Sequence, residues 1–161
     1  MAYPRRYLPS QLSRKDRKKQ LRALRLSKKS YQRGKYYVRP KLASFKNRKS
    51  RHILLAEKMY GVEKIVPGKE LAEKTKCTVA SLKQIVRKGE GAYYSSGSRP
   101  NQTARSWGLA RLASAITGGK ASAIDYSILA AGCDRKTSKA FRLAKPPEYG
   151  RRHTRRINVS D

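Results

Sequence analysis

Thr103-Ala-Arg-Ser-Trp-Gly-Leu-Ala-Arg-Leu-Ala-Ser-Ala-Ile-Thr-Gly-Gly119 holds a start signal, an apolar face and a stop. Thr103 can accept from the first free amides of a helix, and Gly118-Gly119 can take the left-handed turn that ends one. Between them Trp107, Leu109, Leu112 and Ile116 recur at helical spacing. Gly108, Ala110, Ala113 and Ala115 are small enough for a neighbour to approach closely. The stretch predicts a helix over 104–117.

The same grammar extends in both directions. Downstream, a helix fits 121–131 with Ile124, Ile128 and Leu129 inward and Gly132 at its end. Asp134 can cap another that runs to 143 or 144, before Pro146-Pro147. Upstream, Ser50 caps a helix over 51–60 that Gly61 ends. A short helix fits 69–74, and Thr78 caps one over 79–88 with Gly89 as stop. Residues 89–102, rich in Gly, Ser and Tyr, read as a loop, and no stretch alternates as a strand would. The expected fold class is mainly α: a compact helical domain over 50–145, a long, basic, partly extended arm over 1–49, and a short, basic, flexible tail over 146–161.

The arm dominates the electrostatics. The chain has 40 Lys and Arg against 10 acids, a formal charge of +30 over 161 residues. Its first 51 residues carry 19 of those bases and one acid, Asp16. A charge so large and so localised points to a polyanion, either nucleic acid or an anionic membrane face. Tyr3, Tyr7, Tyr31, Tyr36, Tyr37 and Phe45 are interleaved with the bases, which a purely solvated tail rarely shows. Pro4 and Pro9 keep 1–12 extended. Ser13 and Asp16 resemble a capping box for a helix over 14–33, with Gly34 just past its end. Leu21, Leu24 and Tyr31 give that helix only a narrow apolar stripe, and its like charges at i,i+4 oppose it until it docks. Residues 35–49 read as extended.

Candidate polyanion contacts on the arm are Arg14, Arg17, Lys18, Arg22, Arg25, Tyr31, Tyr36 and Tyr37. A second set comes from Ala72–Leu82, which resembles a helix-turn-helix core. Ala72, Thr78 and Leu82 fall where that pattern wants them, and Lys76 stands where Gly is usual. Lys83, Gln84 and Arg87, followed by Lys88, would then lie on the second helix and could face a major groove. The plainer alternative is two short helices packed at an angle. In the 89–102 loop, Arg99 with Ser95, Ser96 and Ser98 could hold a phosphate or a carboxylate, and Tyr93 and Tyr94 could stack on bases or cover the core.

Several chemistries find no footing. Thr117-Gly-Gly-Lys-Ala121 fails as a phosphate-binding loop, because Ser114 stands where Gly is needed and Ala121 where Ser or Thr must hold magnesium. No cofactor, metal or small-molecule substrate is expected. Neither His52 nor His153 lies in the Ser-rich or Cys-bearing regions, and Asp125 is placed to pair with an Arg such as Arg99 or Arg111 rather than to act as a base. Cys77 and Cys133 are isolated and suggest a reducing compartment. No apolar run approaches the length of a membrane helix, and the basic N-terminus lacks an apolar secretion core, so the sequons at Asn101 and Asn158 are read as unglycosylated.

Gly91-Ala-Tyr-Tyr-Ser-Ser-Gly-Ser-Arg-Pro100, Thr103, Ser106-Trp107, Arg111-Leu-Ala-Ser114, Thr117-Gly-Gly-Lys-Ala121 and Asp125 carry a resemblance. They resemble a conserved domain of small basic virion proteins of the nucleocytoplasmic large DNA viruses, such as chlorella viruses and mimivirus relatives. The resemblance extends more weakly into the arm. It implies a non-enzymatic minor capsid protein made in host cytoplasm, with major and minor capsid proteins as partners and packaged DNA or an internal membrane within reach. On that view the arm ties neighbouring shell proteins together. The alternative is a genome-condensing, nucleic-acid-binding protein using the helix-turn-helix-like element.

Overall fold

The computed structural model describes residues 1–151 and 154–160, which divide into two compact units. The N-terminal unit joins 1–48, 90–104 and 154–160; the helical unit joins 49–89 with 105–151.

In the N-terminal unit, β1 (Ala2–Pro4) pairs antiparallel with β2 (Arg156–Asn158), Tyr3 opposite Ile157. A short 3-10 turn over Arg5–Tyr7 leads towards α1 (Arg14–Gln32), and Gly34 takes the positive φ expected after the helix. Ser13 Oγ accepts from the Asp16 amide at 3.1 Å, half of the predicted capping box. The other half is altered. Asp16 accepts from the Ser44 amide at 2.9 Å and its hydroxyl at 2.7 Å, while the Ser13 amide donates to Ser44 Oγ at 3.1 Å. These bonds hold the Asp16 carboxyl below its ordinary range.

The extended tether expected over 1–49 is not what the chain forms. Residues 35–49 lack regular structure, yet the segment is docked on its own unit, with Leu42 buried. Asn101, in the left-handed region at φ +59°, accepts from the Leu42 amide at 2.7 Å and donates to the carbonyls of Leu42 and Phe45. Tyr3, Tyr7, Leu8, Leu12 and Leu24 are likewise buried. These apolar residues of the arm are buried within its own unit. The buried face of α1 is Asp16, Gln20, Ala23, Leu24 and Ser27, while Tyr31 projects and Leu21 is half-buried. Gln20 and Ser27 tolerate burial because they donate to the carbonyls of Tyr7 and Tyr94.

The helical unit follows the apolar periodicity more closely. Its elements are α2 (Arg51–Tyr60), α3 (Lys69–Thr75), α4 (Val79–Ser95), α5 (Ala104–Ile116), α6 (Lys120–Ile124), α7 (Tyr126–Gly132) and α8 (Lys139–Leu143). Ala104 and the last six residues of α4 belong to the other unit. Leu82, Ile85, Val86, Leu112, Ile116 and Leu129 lie at the centre of the core. α2 runs from the Ser50 cap to Gly61, as expected.

Four expectations are corrected here. Gly89 does not stop α4; a Cβ there would meet the Gly108 Cα at 2.6 Å, so the residue serves close helix packing. The stop falls at Gly97, φ +110°, where the amides of Ser96 and Gly97 donate to the Ala92 carbonyl. The helix expected over 121–131 breaks at Asp125 into α6 and α7, and Ile124 turns outward while Ala121, Ser122 and Ala123 are buried. Asp134 caps a tight turn, accepting from Lys136 and Thr137, whereas Ser138 caps α8 and donates to the Thr75 carbonyl. The tail contributes β2, a strand with no alternating signal to announce it in three residues.

Cys77 and Cys133 form a disulfide across 56 residues of sequence. Isolated spacing hid a pair that the fold brings together. No helix is long and apolar enough to cross a membrane among the described residues. His153 lies outside them.

Candidate nucleic-acid interface

Three residues, Lys76 to Thr78, join α3 to α4. Lys76 sits in the left-handed region at φ +57°, where a side chain costs roughly 1 kcal/mol relative to Gly. The surroundings fix it there. The Cys77 amide donates to the Ala72 carbonyl, the Thr78 amide to Gly132 and the Asp134 amide to Lys76, and the disulfide closes over the same ladder. The absence of Gly at this corner is therefore compatible with the tight turn. Thr78 Oγ1 then accepts from the Ser81 amide at 3.2 Å and caps α4.

α4 is two-faced. Leu82, Ile85 and Val86 are buried; Ala80, Lys83, Gln84 and Arg87 face solvent. Lys83, Gln84 and Arg87 have no hydrogen-bond or ion-pair partner among the described residues, so their donors are available to a ligand. Lys88, next in line, is differently employed. Its Nζ lies 2.8 Å from Asp125, which also takes a two-pronged contact from Arg111 Nε and Nη2, each at 2.7 Å. Asp125 is fully buried, and these cations compensate its charge. The expected Arg111 pairing is present, and the carboxylate is structural.

The arm candidates separate into exposed and employed groups. Arg14, Lys18 and Arg22 are exposed on α1, and Arg14, Lys15 and Lys18 line a shallow depression of about 500 Å³. Arg17 donates to the Leu8 carbonyl at 3.0 Å, and half-buried Arg25 lies beside the Tyr3 hydroxyl, so both serve the unit's own packing. Tyr31 and Tyr36 are exposed and Tyr37 is half-buried. Arg99 is exposed, with partial desolvation and neighbouring Arg6 both lowering its proton affinity. Ser98 does not join it as an anion clasp; it is buried and accepts from Arg39. Tyr93 is fully buried, whereas Tyr94 keeps part of its ring in solvent.

Arg39 carried no signal beyond its charge, and the structure makes it central. Buried at 7% exposure, it donates to Ser27 Oγ at 2.9 Å, the Tyr93 carbonyl at 2.6 Å and Ser98 Oγ at 2.7 Å. Its guanidinium lies 3.8 Å from the Tyr93 ring centroid. It has no carboxylate partner among the described residues, and burial pulls its proton affinity down.

No curated protein and no solved structure matches this chain. A family profile does match, over residues 4–134, a span that takes in α1, the α3–α4 corner and both cysteines. That span exceeds half the chain, and the protein therefore belongs to DUF5824, a family of unknown function.

Proposed function

We propose that the protein binds nucleic acid, with the solvent face of α4 lying against a duplex groove. The observation that carries this reading is Lys83, Gln84 and Arg87 standing together on one exposed face with no partner among the described residues. The capped helix follows a rigid, disulfide-clamped corner, which lowers the entropy lost on docking. The formal charge of +30 supplies attraction to phosphates, and Gln84 supplies a donor and acceptor suited to a base edge. No catalytic step is invoked.

Titration of the full chain with duplex DNA tests it. Contact with 6–10 phosphates costs affinity about 10³ to 10⁵ between 50 and 200 mM salt. Lys83→Ala with Arg87→Ala weakens binding to every sequence, whereas Gln84→Ala erodes discrimination by about 1–3 kcal/mol at one base pair. A flat salt response sinks the proposal.

The second reading keeps the chain as a non-enzymatic minor capsid component. Adjacent Leu54 and Leu55 on α2, 49% and 47% exposed, favour a protein partner. Shell proteins would then be met by this folded surface rather than by a loose tether. Leu54→Ser with Leu55→Ser should lower incorporation into particles without lowering duplex affinity.

A further inference from the structure

The N-terminal unit contains a feature that the α4 reading does not use. Tyr36 is 71% exposed, although its ring already touches two others. Its centroid lies 6.2 Å from Tyr31 and 4.9 Å from Tyr94, at interplanar angles of 55° and 56°. Tyr94 in turn meets buried Tyr93 edge-on at 5.0 Å, and the Arg39 guanidinium lies over the Tyr93 ring. The outermost rings therefore rest on a fixed base. Tyr31 is 39% exposed and neighbouring Val38 69%. Leaving so much ring surface in water is unfavourable unless a ligand covers it.

The charge that neighbours these rings in sequence and pervades the unit indicates what that ligand is. Lys28, Lys29, Arg33, Lys35 and Lys41 are exposed, and their side chains make no ion pair among the described residues. Glu90 is the acid facing Tyr94. Over its described residues the unit holds twenty Lys and Arg against two acids, Asp16 and Glu90. A proline-rich peptide could use the rings but not this density of cations. Duplex DNA could use the cations, but its bases are stacked within the helix and cannot reach the rings. A single strand uses both, stacking unpaired bases on aromatic faces while its phosphates meet the bases of the protein.

We propose that Tyr31, Tyr36 and Tyr94 form a stacking platform for a single-stranded polynucleotide, with the flanking lysines and arginines tracking its backbone. The platform is independent of the α4 face and does not require that reading to hold.

The test uses the full chain and fluorescein-labelled oligothymidylate, with oligouridylate as the RNA counterpart. Measurements are made at raised salt, where the bulk phosphate contribution has fallen. Tyr36→Ala should weaken binding about 5- to 150-fold, the range for loss of one base–aromatic stack. Tyr36→Phe should bind as the parent does, since stacking needs the ring and not the hydroxyl. Tyr36→Leu should behave as Tyr36→Ala. Duplex affinity should be unchanged in all three, and the Lys83, Arg87 double variant should show the reverse pattern. Because Tyr36 is largely in solvent, unchanged thermal melts will show that folding is intact. Equal preference for both oligonucleotides keeps the proposal; a difference assigns it to DNA or RNA. Parent-like binding by Tyr36→Ala or Tyr36→Leu overturns it. So does binding of a proline-rich peptide that no oligonucleotide displaces.

Discussion

The two compact units reach order by different means. The helical unit buries Leu82, Ile85, Leu112, Ile116 and Leu129 among one another, and helix faces complementary in shape do most of the work. The N-terminal unit buries Asp16, Gln20, Ser27, Arg39 and Ser98 alongside its tyrosines and leucines. Side chains there bond to distant carbonyls and hydroxyls, as Arg39 does across 54 and 59 residues. A core of the first kind tolerates surface charge indifferently. A core of the second kind can be assembled inside a strongly basic segment, because its polar members are themselves the fastening.

That contrast can be broken most forcefully at the disulfide. Opening Cys77–Cys133, with its 56-residue separation, should destabilise the helical unit by about 4 kcal/mol on the chain-entropy account. Denaturant unfolding with and without reductant, checked against Cys77→Ser with Cys133→Ser, reads the difference. Hydrogen exchange should assign the loss to amides of α3, α4 and α7.

Next in size is the buried arginine. Arg39→Ala removes three charge-assisted hydrogen bonds and a ring contact, and it leaves buried Ser98 and the Tyr93 carbonyl short of a donor. The expected cost is about 3 kcal/mol, with Arg39→Lys recovering only part of it. Protection should be lost first around residues 35–48 and 90–104. If Arg39→Ala unfolds no more easily than the parent, polar fastening is not what holds that unit.

Gly89→Ala sharpens the helical side. Relief of glycine's backbone entropy alone would stabilise α4 by about 1 kcal/mol. The clash with the Gly108 backbone should reverse the sign and cost about 2 kcal/mol. A thermal melt distinguishes the two directions.

The smallest effect is a pH dependence. Ser44 keeps Asp16 ionised to lower pH than in the unfolded chain, so its contribution is present above the ordinary carboxylate pKa. It is lost as pH falls through the lowered folded value. The stability gap between parent and Asp16→Asn should therefore be widest near neutrality and close in acid, as titrated denaturation curves would show.

How far the sequence could be read follows the same division. Ser50, Gly61, Thr78 and Gly118 mark helix ends by local chemistry, so α2, the start of α4 and the end of α5 were legible. Gly89 misled because an interior glycine that admits a neighbour looks the same as one that ends a helix; only the approach of Gly108 tells them apart. Cys77 and Cys133 gave no spacing signal, since their proximity depends on where α7 ends. In the N-terminal unit, the span of α1 was readable from Ser13 and Gly34. Its buried face was not, because Gln20 and Ser27 look like surface residues until their carbonyl partners are known. At the candidate interface, Lys83, Gln84 and Arg87 were visible from type and period alone. Arg39 was one base among 19 in the opening segment, and only tertiary contacts single it out.

Ser138 has a practical consequence. Its hydroxyl donates to the Thr75 carbonyl and its residue caps α8, whose Ala140 is fully buried. The family's span closes at residue 134, just past the second cysteine. A fragment trimmed to that boundary would keep the cystine yet strip the lid from the Thr75 carbonyl and open the core where Ala140 sits. Crystallographers or display engineers shortening this protein should keep α8, and also β2, which pairs with β1 in the N-terminal unit.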